Sequence, residues 1–198
     1  MNFAPLVDIA DIFMGQSPPG STYNTDGNGL PFFQGKTDFG DIYPTVRMYC
    51  TEPKRIAEVN DILISVRAPV GPTNLAPIKS AIGRGLAAIR CKDGTEVKYL
   101  LYFLRHNESK LAQLGTGSTF EAIGRDDLED VNVPLPPLPE QRCIAALLYK
   151  ADHLRRTRRY AAQLSDTFFA SRVRADVWRP CAESDGMGES KDFRFGRS

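Results

Sequence analysis

The stretch VPLPPLPEQRCIAALL, residues 133–148, carries Pro134, Pro136, Pro137 and Pro139 within six positions. Each ring fixes φ and removes a backbone donor, so the run can neither be helical nor join the middle of a sheet. From Glu140 the prolines stop and helix formers follow one another, so a stiff extended segment passes directly into a helix. Along it Ile144, Leu147, Ala151, Leu154, Arg158, Ala161, Ser165 and Phe168 are spaced alternately three and four apart. That spacing is a heptad seam over about 30 residues, a helix roughly 45–50 Å long. Arg158 and Ser165 interrupt its apolar stripe, and RRTRR (155–159) spreads charge over several faces. An amphipathic helix packed on its own domain is one reading. A helix this long would overhang a body of about 140 residues, whose radius of gyration is roughly 14 Å, so a partner helix is the expected cover.

Upstream of the prolines the pattern differs. LVDIADIF (6–13), LPFFQ (30–34), DILISV (61–66) and GLAAIR (85–90) have the length and alternation of strands. Between them GQSPPGSTYNTDGNG (15–29) and RAPVGPTNLAP (67–77) are rich in Gly, Pro, Asn and Asp, and are expected to be long loops. In EVKYLLYFLRHNESKLAQL (96–114), Val97, Leu100, Leu101, Leu104, Leu111 and Leu114 recur at helical spacing before GTG stops the helix. The expected class is α+β: a β-rich domain over residues 1–139, a long coiled-coil helix over 140–173 and a disordered tail over 174–198.

The net charge of +1 on 198 residues conceals a division. Residues 1–139 hold 13 Lys and Arg against 16 Asp and Glu, a net −3, whereas residues 140–179 hold 9 against 4, a net +5. The basic surplus therefore belongs to the helix. No run approaches the roughly 18 apolar residues of a membrane span, and MNFAPLVDIADIF lacks the basic and apolar regions of a signal peptide, so a cytoplasmic protein without a membrane partner is expected. Cys50, Cys91, Cys143 and Cys181 are far apart with no C-x-x-C, and His106 and His153 stand alone. Reduced thiols, with no disulfide frame and no zinc site, follow.

Catalytic motifs are missing. There is no G-x-x-x-x-G-K-[ST], G-x-S-x-G or H-E-x-x-H, and the Gly-x-Gly pairs at 83–85 and 115–117 lack the third glycine of a dinucleotide loop. The acidic RDDLED (125–130) has no second cluster to complete a cation site and is expected to be a solvated face. The chain is expected not to be an enzyme and to carry neither metal nor cofactor of its own.

GTGSTFEAIGRDDLEDVNVPLPPLPEQRCIAALL (115–148) closely resembles the end of a target recognition domain, and the start of the conserved helix after it, in the specificity subunits of type I restriction-modification systems. GQSPPGSTYN (15–24), LPFFQGKTDF (30–39), NDILISVRAPVGPTNLA (60–76) and AIGRGLAAIR (81–90) resemble the preceding blocks of that family in the same order. The resemblance implies a recognition domain that grips one half-site of double-stranded DNA, with the proline run setting the angle of a rod that holds a second domain at fixed distance. Most members carry two recognition domains and two conserved helices. LSDTFFASRV (164–173) resembles the end of a first repeat, so the expectation is a half-length form acting as a homodimer through Ile144, Leu147, Ala151, Leu154, Ala161 and Phe168. Methyltransferase and endonuclease subunits would be the other partners, and S-adenosylmethionine and ATP would belong to them.

On that resemblance the DNA contacts fall on loops. Lys36 follows Gly35 on a turn after a strand, Arg67 stands where the chain leaves the 62–66 strand, and Arg84 lies between two glycines. Such cations pair with phosphate or fork onto guanine O6 and N7. Thr116, Ser118 and Thr119 offer hydroxyls and backbone N–H groups to phosphate. Tyr23 and Gln34 complete the candidate set. A capped turn or a surface ion pair is the structural alternative for each. Two other functions stand beside this one: a coiled-coil adaptor or split-gene partner of another specificity chain with no DNA binding of its own, and an enzyme whose centre matches no motif.

Overall fold

The computed structural model describes residues 2–114 and 122–177, with side chains described through Thr167. The chain divides into two compact units, Met1–Lys150 and Ala151–Ser198. In order, the elements are β1 (Phe3–Pro5), α1 (Leu6–Ile9), β2 (Ala10–Met14), β3 (Tyr23–Asn24), β4 (Leu30–Phe33), β5 (Met48–Cys50), β6 (Ile56–Ala57), β7 (Ile62–Ser65), β8 (Thr73–Leu75), β9 (Ser80–Ile82), β10 (Leu86–Cys91), α2 (Val97–His106), α3 (Glu108–Leu114), α4 (Arg125–Glu129), β11 (Asn132–Pro134) and α5 (Leu138–Val177). The architecture is α+β with a long C-terminal helix.

Three sheets form the first unit: β1-β11, the antiparallel β2-β10-β7-β8, and β3-β5-β4-β9-β6, in which β4 and β9 run parallel. The four-stranded sheet is the middle layer. Side chains alternate across a strand, so Ile62, Ile64, Ala87 and Ile89 enter one core with Leu100, Leu101 and Leu104 of α2. Leu63, Leu86 and Ala88 enter a second core with Phe33 and Ile82 of the five-stranded sheet. All four residues of β7 are buried, which is why Ile62, Leu63 and Ile64 are apolar in succession rather than alternating with polar residues. At the strand's entry Asp61 takes a bidentate pair from Arg90 of β10, Nε to Oδ1 at 3.0 Å and Nη2 to Oδ2 at 2.8 Å.

Four expectations need correction. Residues 6–13 are not one strand: Leu6 and Ile9, three apart, are both buried by the helical turn α1, and β2 starts only at Ala10. The 67–77 segment is not all loop. Its Gly71, at φ 105°, lets the chain turn back so that β8 pairs with β7 with Thr73, Asn74 and Leu75 buried. The 96–114 helix is broken at Asn107, whose N–H reaches both Phe103 and Leu104 carbonyls while its side-chain amide also donates to Phe103 O at 2.9 Å. The long helix starts earlier than residue 140, since α5 already contains Leu138 and Pro139, the latter in a first turn where a missing N–H costs nothing. The opening turns of α5 belong to the first unit's interior, with Gln141 and Ala145 buried and Ile144 packed against the core.

Among the described residues no helix is long and apolar enough to cross a membrane. No group of three or more His, Cys, Asp and Glu is placed to hold a metal among them either. The acidic run at 125–130 is engaged locally: Asp127 accepts the Gly124 N–H at 2.7 Å, ahead of α4, and Arg125 pairs with Glu129 one turn on.

Candidate nucleic-acid interface

β4 and β9 run parallel and end together, and their antiparallel neighbours β5 and β6 begin at that same end. Phe32 faces Met48, which places Arg47 beside the exit of β4, where Gln34 follows. The Ile82 N–H donates to Arg55 O at 3.0 Å, which places Arg55 beside the exit of β9, where Gly83 and Arg84 follow. The order across this end is thus Arg47, Gln34, Arg84, Arg55, one per strand. At about 4.8 Å between strands the row is about 14 Å long, close to the roughly 12 Å width of a DNA major groove.

The β9–β10 turn brings in the other sheet. Gly83 donates to Phe33 O at 2.8 Å, Gly85 O accepts the Val66 N–H at 3.0 Å, and the Arg84 N–H meets Ser17 Oγ at 3.3 Å. A Cβ on Gly85 would run into the Gln34 carbonyl, and one on Gly15 into Gly83 O, so the tight convergence requires glycine at both places. Arg67 is next to this corner, bridged to Ala122. Lys36 stands in a short 3-10 turn, Lys36–Asp38, held by the Gln34 N–H donating to Asp38 Oδ2 at 2.8 Å.

Four of the five described candidates, Gln34, Lys36, Arg67 and Arg84, therefore come together, whereas Tyr23 pairs with Cys50, which faces Leu30 at the opposite end of β4. Gln34, Lys36, Arg67 and Arg84 are exposed, whereas Tyr23 is half-buried, stacked on Phe32 with centroids 4.7 Å apart and its hydroxyl donating to Pro18 O at 2.8 Å. Tyr23 supports the floor more than it faces solvent. Thr116, Ser118 and Thr119 lie outside the described residues. Arg47 and Arg55 were missed by sequence reasoning because each follows or precedes a strand of two or three residues that no alternation announces; parallel pairing of β4 and β9 is the signal that exposes them.

Electrostatically the edge stands apart from the sheet's flanks. Among the described residues Lys36, Arg47, Arg55, Arg67 and Arg84 form no ion pair, while Lys79, Arg90 and Lys92 are matched to Glu58, Asp61 and Asp11. The net negative charge of the domain is thus partly neutralised away from this edge, which leaves guanidinium groups available to an anion. Burial, with Asp61 and Glu96 nearby, pushes the Cys91 thiol up to about 12 and keeps it protonated.

On α5 the expected seam residues are mixed. Ile144 is half-buried against its own core, whereas Leu147 and Leu154 are 62% and 61% exposed, and Ala151 and Ala161 are exposed. Phe168 lies beyond the described side chains. Ser165 turns its hydroxyl onto Ala161 O at 3.0 Å, satisfying within the helix the polar group that interrupts the stripe.

The family model of the type I restriction modification DNA specificity domain matches residues 1–160. The chain is 49% identical over 144 residues to the putative type I restriction enzyme MjaX specificity subunit of Methanocaldococcus jannaschii, covering 72% of this chain and 34% of that protein. It is 32% identical over 102 residues to the MjaIX specificity subunit of the same organism, covering 50% of this chain and 24% of that one. Among solved structures, a chain from work on complex assembly and conformational transition of a type I R-M system superposes with a TM-score of 0.80 at 47% identity, over 88% of this chain and 44% of that one. The HsdS subunit from Thermoanaerobacter tengcongensis gives 0.71 at 51% identity, over 77% and 37%. The chain thus spans a quarter to a third of the curated relatives and less than half of the solved chains it matches.

Proposed function

The chain belongs to the type I restriction modification DNA specificity family, and from that premise we propose that it is the non-catalytic subunit that directs a methyltransferase, and through it an endonuclease, to a bipartite site in double-stranded DNA. The observation that carries this reading is the row of Arg47, Gln34, Arg84 and Arg55 at one end of the five-stranded sheet, whose arginines form no ion pair among the described residues. Arg84 and Gln34, at the middle of the row, are suited to base edges, and Lys36, Arg47, Arg55 and Arg67 to phosphates on either side. Residues 1–139 act as the recognition domain and 140–173 as the rod. Exposed Leu147, Ala151, Leu154 and Ala161 pair with the same residues of a second copy, which is the simplest closed arrangement of a self-complementary seam. Work of this kind places the protein in the cytoplasm, with S-adenosylmethionine and ATP bound by its partners.

The test is DNA retention by the chain purified with and without its methyltransferase subunit. Specific retention that needs this chain supports the reading; a complex that binds equally well without it removes the DNA role and leaves the adaptor function.

A further inference from the structure

The amide of Gln141, in the first turn of α5, is 1% exposed and has every polar atom engaged. Its Oε1 accepts the Glu96 N–H at 2.9 Å, and its Nε2 donates to Gly94 O at 3.0 Å and Pro136 O at 2.9 Å. Gly94 lies in the turn after β10, at φ 91°, and Glu96 immediately precedes α2. One side chain therefore joins the proline run, the first turn of the long helix and the corner between the central sheet and α2. A second tie runs from the Tyr99 hydroxyl of α2 to Pro134 O at 2.7 Å. Burial, assisted by the Glu140 carboxylate, pushes the Tyr99 phenol up and keeps it a donor. Both ties go to backbone carbonyls of the proline run, that of Pro134 in the β1–β11 pair and that of Pro136 between β11 and α5. Only an amide serves at 141: a carboxylate would face two carbonyl oxygens, and an apolar side chain would leave a buried N–H and two carbonyls unmatched.

We propose that Gln141 is the positioning residue of this subunit, fixing the direction in which α5 leaves the recognition domain and so restricting the assembly to one spacing between half-sites. This rests on the bipartite reading above. A rigid joint concentrates the second recognition domain at one distance along the duplex, whereas a loosened joint spreads the same domain over neighbouring distances and lets adjacent spacers compete. Half-site sequence, read at the far end of the sheets, is independent of the joint.

The experiment expresses the full chain with its methyltransferase and maps methylated sites by long-read sequencing for wild type, Gln141→Met and Tyr99→Phe. Methionine matches the length of glutamine without its hydrogen bonds, and phenylalanine removes one hydroxyl. The expected result is the same two half-site sequences in all three, with discrimination between the natural spacer and spacers one base pair longer or shorter reduced by about tenfold in Gln141→Met and by less in Tyr99→Phe. A purely structural role would lower methylation at every spacer in proportion; an unchanged ratio in both variants overturns the inference. Should Gln141→Met fail to accumulate, Tyr99→Phe decides by the same ratio. A wild-type motif with no spacer overturns the bipartite reading first and the inference with it.

Discussion

Arg84 differs from the cations around it because its neighbours on both sides, Gly83 and Gly85, are tied by backbone hydrogen bonds to Phe33 and Val66. The backbone beneath the side chain is fixed, so Arg84→Ala should weaken specific binding by the methyltransferase complex without unfolding the domain. If the guanidinium meets a base, the loss is about 1–3 kcal/mol with relaxed specificity at one position; if it meets phosphate, the salt slope falls by about one unit. Lys36→Ala is expected to show the second behaviour, and full affinity in both variants would take this edge off the DNA. Arg90 is the contrasting case, a cation whose work is internal. It lies over the Phe13 ring at 4.8 Å and holds Asp61, whose side chain is 3% exposed. Arg90→Ala leaves that carboxylate buried without its partner and should cost about 3 kcal/mol in urea unfolding, with DNA specificity intact in whatever remains folded. Sequence alone places Arg84 and Lys36 on glycine turns but treats Arg90 as the end of a strand, since nothing in GLAAIR announces that an aspartate from another strand is waiting for it.

Elements were legible in proportion to their length and burial. β4, β7 and β10 are runs of four to six residues that enter two cores, so their composition is dictated by burial. β3, β5, β6, β8 and β9 have two or three residues each, too few to display a period of two, and several lie in segments whose Gly and Pro content argues for loops. Their strand character comes from partners distant in sequence, which explains why the cationic row could not be assembled before the register was known. The helix is the opposite case: its heptad spacing is local and α5 extends even past the expected end, to Val177. That spacing also supports a prediction. Deleting residues 155–161 removes one heptad and keeps the seam in phase, shortening α5 by about 10 Å. At roughly 3.4 Å per base pair the methylated motif should lose about three base pairs of spacer while keeping its half-sites; an unchanged spacer would separate the rod from the measurement of distance.

For the whole molecule, the proposed pairing of two copies carries a prediction of symmetry. Two identical chains joined through α5 by a two-fold axis present identical recognition surfaces in opposite orientation, so the methylated motif should be an interrupted palindrome. Leu154→Glu places two carboxylates at the seam and should yield monomers by light scattering; a variant that remains dimeric moves the contact elsewhere, and a non-palindromic motif assigns the second half-site to a different specificity chain. A last consequence follows from the pairing of Phe3 with Pro134, of Ala4 with Val133 and of Pro5 with Asn132. The strand that opens the domain has no partner until the strand just ahead of the proline run has been synthesised. During translation Leu6 and Ile9, both buried once folding is complete, must wait for Leu128 and Val133 of the same core to emerge from the ribosome. Closure is therefore a late, long-range event of the kind that makes folding slow, and its last strand emerges just ahead of α5. If two copies pair through α5 as proposed, the recognition domain is then complete in sequence before the pairing helix is exposed.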